Sequence, residues 1–270
     1  SLYLLGAAIA YILGGYLTQW LEPSYALVFI IQGALLLLFG IFIYFEETDL
    51  IDIDHHLSRR HFWINVKQIA KFPWVPIYTI TLTFFISFSH NNVKRFLDYY
   101  IIDLGNSAVT LGILVFVAGL VGLVSNLWIA PFFLKRFHNF RFLQWQFFFA
   151  PIFLFLAFYI ENTMLGMYVF YMGYTVMLAI YEPTAISVMS SNRTVSQGVL
   201  VGVRQSIVGL GMTIGFIVGG FLYEENKLYV FYLAIAFYIM VFIGFSVLIR
   251  LTKKEVLDYR SQYIKEKNDD

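Results

Sequence analysis

A carboxylate, a guanidinium and a row of imidazole, amide and ammonium groups lie inside stretches otherwise apolar enough to cross a membrane. Glu182 stands in Tyr181-Glu182-Pro183, within an apolar run over 164–190. A charge at the bilayer centre costs about 2.5–3.5 kcal/mol on insertion scales, so a residue kept there needs a partner or a task. A carboxyl in such a span can take up and release a proton. Pro183 removes a backbone donor beside it and disturbs the helix, which can open room next to the acid. Tyr168, Tyr171, Thr175 and Glu182 follow one another at helical steps and form one polar stripe, expected to face a cavity or the bundle. Arg204, beside Gln205 and Ser206, is an intramembrane cation that can pair with Glu182 or act as a gate near the inner surface.

A second polar set is Ser87, Ser89, His90, Asn91, Asn92, Lys94, Arg95 and Asp98. On a helix over 75–102, His90 falls near mid-depth and Lys94 and Arg95 toward the outer end. Asn91, Arg95 and Asp98 then share a face, as do His90 and Lys94. Such a stripe can line a water-filled substrate path. The competing expectation ends the helix near Ser89 and leaves the charges in an outer loop. Asp52, Asp54, His55, His56 and His61 are the one set of metal-ligand types close in sequence, but in a polar linker such residues are ordinarily solvated, and no metal is expected. The same cluster is all that a polytopic membrane enzyme would have to work with, and it lacks a recognisable order of roles. The chain has no Gly-Lys-Ser/Thr phosphate loop, no His-Glu-x-x-His and no Gly-x-Ser-x-Gly. The reading is therefore not an enzyme, with no cofactor and no nucleic-acid partner.

Helices must position these groups. Sixty per cent of the 270 residues are hydrophobic, a fifth are aromatic and 13% are charged, with a mean hydropathy of +0.73. A soluble domain carries about 25% charged residues, so lipid is the expected surrounding. With no cysteine, disulfide and thiolate chemistry are excluded. At about 20 residues per crossing, eight spans are expected over 2–20, 25–45, 75–102, 109–130, 142–160, 164–190, 199–223 and 228–251. Basic residues gather on one side, including Arg59, Lys67, Lys135, Arg141, Arg193, Arg250 and Lys253, against Lys94, Arg95 and Lys227 on the other. The linker and the C-terminus are thus expected in the cytoplasm of a multi-pass cell-membrane protein. Trp20, Trp63, Trp74, Trp128 and Trp145 suit membrane interfaces, and Phe147, Phe148 and Phe149 are expected to face lipid.

Residues 6–15, Gly-Ala-Ala-Ile-Ala-Tyr-Ile-Leu-Gly-Gly, return as Gly-Met-Thr-Ile-Gly-Phe-Ile-Val-Gly-Gly at 211–220, with five positions identical. The copies fall in the first and seventh expected helices, a period of six. Two related helical units in one membrane protein are a trace left by many secondary transporters. Four further helices ahead of Ser1 would make two units of six. The chain then divides into 1–45 (the last two helices of the first unit), a cytoplasmic linker 46–72, a six-helix unit 73–251 and a cytoplasmic tail 252–270. Read that way the chain is N-terminally truncated, and a transport-incompetent fragment is one alternative.

These features resemble the major facilitator superfamily, and within it the drug:proton antiporters, over the whole chain as helices five to twelve. Gly202, Gly211, Gly215, Gly219 and Gly220 match the spacing of the antiporter glycine pattern Gly-x8-Gly-x3-Gly-Pro-x2-Gly-Gly, with Phe216 at the proline position. Gly6, Gly14 and Gly15 keep part of it, with Ala10 and Tyr11 in place of Gly-Pro. Lys135–Arg141 lies where the family carries a basic loop between helices eight and nine, without its acidic residue or glycine. The resemblance implies an all-α polytopic membrane bundle that moves a small molecule by alternating access, as a proton-coupled efflux pump for drugs or other lipophilic compounds. Uptake of a sugar or organic anion is the runner-up. Glu182 and Arg204 would couple transport to a proton or other cation. His90, Asn91, Asn92, Lys94, Arg95, Tyr171 and Thr175 would line the substrate path. The eight glycines would let helix backbones approach where lipid gives no hydrophobic drive for association.

Overall fold

The computed structural model describes residues 2–20, 26–46, 74–136, 139–160, 163–190 and 197–269. Every element among them is helical. They are α1 (Leu2–Trp20), α2 (Ala26–Glu46), α3 (Trp74–Asp103), α4 (Ala108–Arg136), α5 (Asn139–Tyr159), α6 (Thr163–Gly166 running through Met167–Tyr171 into Met172–Ser190), α7 (Gln197–Glu225) and α8 (Tyr229–Asp269). The all-α polytopic bundle is as the apolar runs require. Stretches within α4, α5, α6, α7 and α8 are each long and apolar enough to cross a membrane. At 30 residues α3 is also long enough, and the polar set from Ser87 to Asp98 is what lowers its hydropathy. The helix does not stop at Ser89: it continues unbroken to Asp103, so the alternative of an outer loop there is set aside.

Local chemistry sets the helix ends. After α3, Gly105 adopts φ +83°, a conformation that a side chain would oppose, and Asn106 Nδ2 donates to the Ile101 carbonyl to close the turn. Ser107 then caps α4 by accepting from the Thr110 N–H at 3.2 Å. At the same end, Asp103 accepts from Tyr223 and pairs with Lys227 at 2.9 Å, tying α3 to the α7–α8 turn. The Lys227 hydrogen bond first, and the Tyr223 hydroxyl second, hold the Asp103 carboxyl below its ordinary pKa.

One core is shared by α3, α4, α5, α6 and α8, and within it Phe147 stacks on Tyr238 and Phe245. This corrects part of the aromatic reading. Phe148 and Phe149 are exposed, but Phe147 is sealed inside, because three consecutive helical positions cannot all face the same way. The large apolar side chains described on α2 are exposed, as a lipid-facing helix requires. The helix of α8 carries on past its apolar stretch to Asp269; 41 residues span roughly 60 Å, twice the hydrocarbon layer.

The glycine pattern divides in two. A Cβ on Gly211 would lie 2.7 Å from the Phe84 carbonyl oxygen, one on Gly215 3.1 Å from Asn92, and one on Gly219 2.5 Å from Asn92 and Phe96. These three bring α7 against α3, with the two helices running parallel. Gly15 does the same for α1 against α4, its Cβ position being 2.8 Å from the Ala108 carbonyl oxygen. By contrast, a Cβ on Gly6, Gly14, Gly202 or Gly220 would meet nothing within 4 Å among the described residues. Among the described residues the close approaches are thus made by four of the eight glycines, and the reason is angular. Steps of four keep 211, 215 and 219 on one face, whereas nine residues turn a helix by roughly half a circle, and a single step by roughly 100°.

Candidate functional site

A cavity of about 750 Å³ lies between α3, α4, α6 and α7. Its α3 wall is read straight from the helical period: Thr83, Ser87, His90, Asn91, Lys94 and Asp98 all face it. Opposite, α4 contributes Val115, Ala118 and Asn126, and α6 contributes Tyr171, Tyr174, Thr175, Leu178 and Glu182. Arg204 and Val208 close the α7 side. Two of these helices are irregular where they border the cavity. Ser125–Ile129 in α4 and Met167–Tyr171 in α6 are π-helical. Such wide turns shift the register of all that follows them.

The Glu182–Arg204 pair is the strongest polar feature. Arg204 Nη1 donates to Glu182 Oε1 at 2.8 Å and Nη2 to Oε2 at 2.6 Å, a two-pronged contact that matches guanidinium to carboxylate. The pair is lopsided. The Arg204 side chain is 4% exposed, and its Nε is buried with no hydrogen-bond partner among the described residues, while the Glu182 side chain is 57% exposed. The base is built into the wall beneath the Tyr181 ring, and the acid stands in the cavity. Pro183, inside α6, withholds an N–H from the Ala179 carbonyl one turn back, and Ala179 also lines the cavity.

The levels of the groups follow from one hydrogen bond. Ser87 Oγ donates to the Val208 carbonyl at 2.7 Å, which sets α3 against α7. Arg204 lies one turn before Val208, and Lys94 two turns beyond Ser87. The two cations therefore stand roughly 16 Å apart along the bundle, at opposite ends of the cavity. His90 falls between them, its Nδ1 3.3 Å from the Tyr174 hydroxyl.

The cavity thus gathers His90, Asn91, Lys94, Tyr171, Thr175, Glu182 and Arg204. Two residues expected on the substrate path lie elsewhere. Asn92 is turned away from the cavity and buried against Gly215 and Gly219, where its size fills the groove between α3 and α7. Arg95 is exposed, with its guanidinium 5.1 Å from the Tyr99 ring. Tyr168 leaves the α6 stripe because the π-turn rotates it off that face. Thr83, Tyr174 and Tyr181 were missed; Thr83 and Tyr181 share a hydroxyl contact of 3.0 Å across the wall. Thr83 lies four residues before Ser87, Tyr174 three after Tyr171 and Tyr181 seven after Tyr174, and that helical spacing was the available signal. His55, His56, His61, Asp52 and Asp54 lie outside the described residues.

A family model described as Major Facilitator Superfamily matches residues 1–197. No curated protein matches the chain.

Proposed function

Because the chain belongs to the major facilitator superfamily of membrane transporters, we propose that it exports lipophilic small molecules across the cell membrane by alternating access, in exchange for protons. The observation that carries this reading is the lopsided Glu182–Arg204 pair on the cavity wall. A carboxylate standing in the cavity can be reached by a proton, while its buried partner cannot move away into water. Protonation cancels the attraction that ties α6 to α7 at this level and frees the two helices to part, which is the kind of two-state element that coupling requires. Lys94, Asn91, Tyr171 and Thr175 border the substrate's route, and the C-terminus lies in the cytoplasm by the distribution of basic residues. Uptake of an organic anion, which Lys94 alone would favour, has Asp98 in the same wall against it. In proteoliposomes bearing a pH gradient, efflux of a fluorescent lipophilic dye is expected to stop when a protonophore collapses the gradient. Unchanged efflux would remove proton coupling from the account.

A further inference from the structure

One chain of hydrogen bonds runs from the sealed core to the cavity. Tyr238 on α8 is fully buried against Phe147, and among the described residues its hydroxyl has one partner, the Tyr174 hydroxyl at 2.7 Å. Tyr174 is 1% exposed and in turn meets His90 Nδ1 at 3.3 Å. Each phenol has a single hydrogen to give. If Tyr238 donates to Tyr174 and Tyr174 donates to Nδ1, every hydrogen in the chain finds an acceptor. If His90 instead carries its proton on Nδ1, Tyr174 either turns its own hydrogen toward Tyr238, which strands the Tyr238 hydrogen in packed core, or accepts from both neighbours and strands its own. Either way one buried hydrogen has no acceptor among the described residues. An imidazolium at His90 forces the same defect. Buried donors without acceptors are what folded chains avoid. The polarity therefore runs outward from the core, Nδ1 accepts, and the single ring proton sits on Nε2. That nitrogen is not among the buried atoms left without a partner, and His90 lines the cavity.

A second observation bears on charge. The charged residues lining the cavity are Lys94 and Arg204 against Asp98 and Glu182, so the cavity carries no net charge. Val115, Ala118 and Leu178 offer apolar surface beside His90, and the Tyr171 ring stacks on Tyr174. We infer that His90 is a fixed Nε2–H donor that selects uncharged lipophilic substrates bearing an oxygen acceptor, an aromatic ketone or lactone carbonyl being the fitting class, and that Tyr174 and Tyr238 are the positioning residues that hold it so. The inference rests on the cavity being the substrate site of the transporter.

Two measurements, both made without a pH gradient, test it apart from proton coupling. In the protein labelled with 15N-histidine and held in lipid nanodiscs, His90, assigned by its loss in His90→Gln, is expected as the neutral Nε2–H tautomer. An Nδ1–H tautomer or an imidazolium at neutral pH overturns the inference. In the second measurement, binding of 9-fluorenone is compared with that of fluorene, which lacks the carbonyl, after subtracting partition into empty nanodiscs. One net hydrogen bond of about 1 kcal/mol makes fluorenone roughly fivefold the tighter ligand. His90→Gln, which places an amide N–H near the position of Nε2, is expected to keep that preference, and His90→Met to abolish it. No preference in the unaltered protein, or a preference that survives in His90→Met, contradicts the inference. Should His90→Met fail to fold, the tautomer and the preference of the unaltered protein decide it.

Discussion

Gly211 and Gly202 belong to one glycine pattern but should respond in opposite directions to the same small change. A methyl group on Gly211 would stand 2.7 Å from the Phe84 carbonyl oxygen, 3.1 Å from the Ser87 Cβ and 3.2 Å from the Phe88 amide nitrogen. Two of these three atoms are backbone and cannot rotate away, so α7 must shift off α3 by several tenths of an ångström. Overpacking of this kind costs about 1–3 kcal/mol. It also pulls on the Ser87–Val208 hydrogen bond one turn away. At Gly202 the same methyl meets nothing within 4 Å among the described residues, and the helix gains the difference in propensity between Gly and Ala, up to about 1 kcal/mol in an exposed helix. Thermal unfolding of the two variants in one detergent is the assay. At about 2–4 °C per kcal/mol, Gly211→Ala should lower Tm by several degrees, while Gly202→Ala leaves it unchanged or raises it. Equal Tm values for the two would refute the assignment of close α3–α7 packing to Gly211.

Gln146 is 1% exposed in α5 and neither of its amide atoms has a partner among the described residues; Gln146→Met should therefore raise Tm, and a fall would reveal a buried partner. Asp103 has its carboxyl pKa depressed by Lys227 and Tyr223, so its contribution is present above the ordinary carboxyl value of 3.8 and fades as pH falls through the still lower folded pKa. Asp103→Asn should accordingly lower stability at pH 7 and flatten the acid limb of the stability profile below about pH 4, and an unchanged acid limb would count against the clamp. Glu182→Gln leaves a buried guanidinium facing a neutral amide. The loss should fall between the 0–1 kcal/mol of an exposed pair and the roughly 3–5 kcal/mol of a buried one, because Glu182 is the exposed member. The double change Glu182→Gln with Arg204→Gln should recover that loss, as read by Tm, and failure to recover it would deny the pairing its structural part.

Much of the bundle was legible because lipid imposes one rule on every span: about 20 apolar residues between polar breaks. The charges that broke this rule, Glu182 and Arg204, were legible for the same reason, and they lie together on the cavity wall. What sequence spacing did not give was phase. Tyr168 was placed on the α6 stripe by counting 3.6 residues per turn, but the π-turn at Met167–Tyr171 carries an extra residue and rotates it away. Asn91 and Asn92 are alike in type; Asn91, one turn after Ser87, faces the cavity, and Asn92 packs against the glycines of α7. Tyr238 was invisible because an aromatic in a membrane helix is unremarkable until the partner of its hydroxyl is known.

Glu182 as the proton site is tested most directly by comparing driven with undriven transport in Glu182→Gln. Gln keeps the size and the hydrogen-bonding capacity of the side chain but cannot release a proton. In proteoliposomes loaded with a lipophilic dye, Glu182→Gln should lose pH-gradient-driven efflux while dye exchange at equal pH on the two sides persists. Full gradient-driven efflux in the variant would contradict the claim outright.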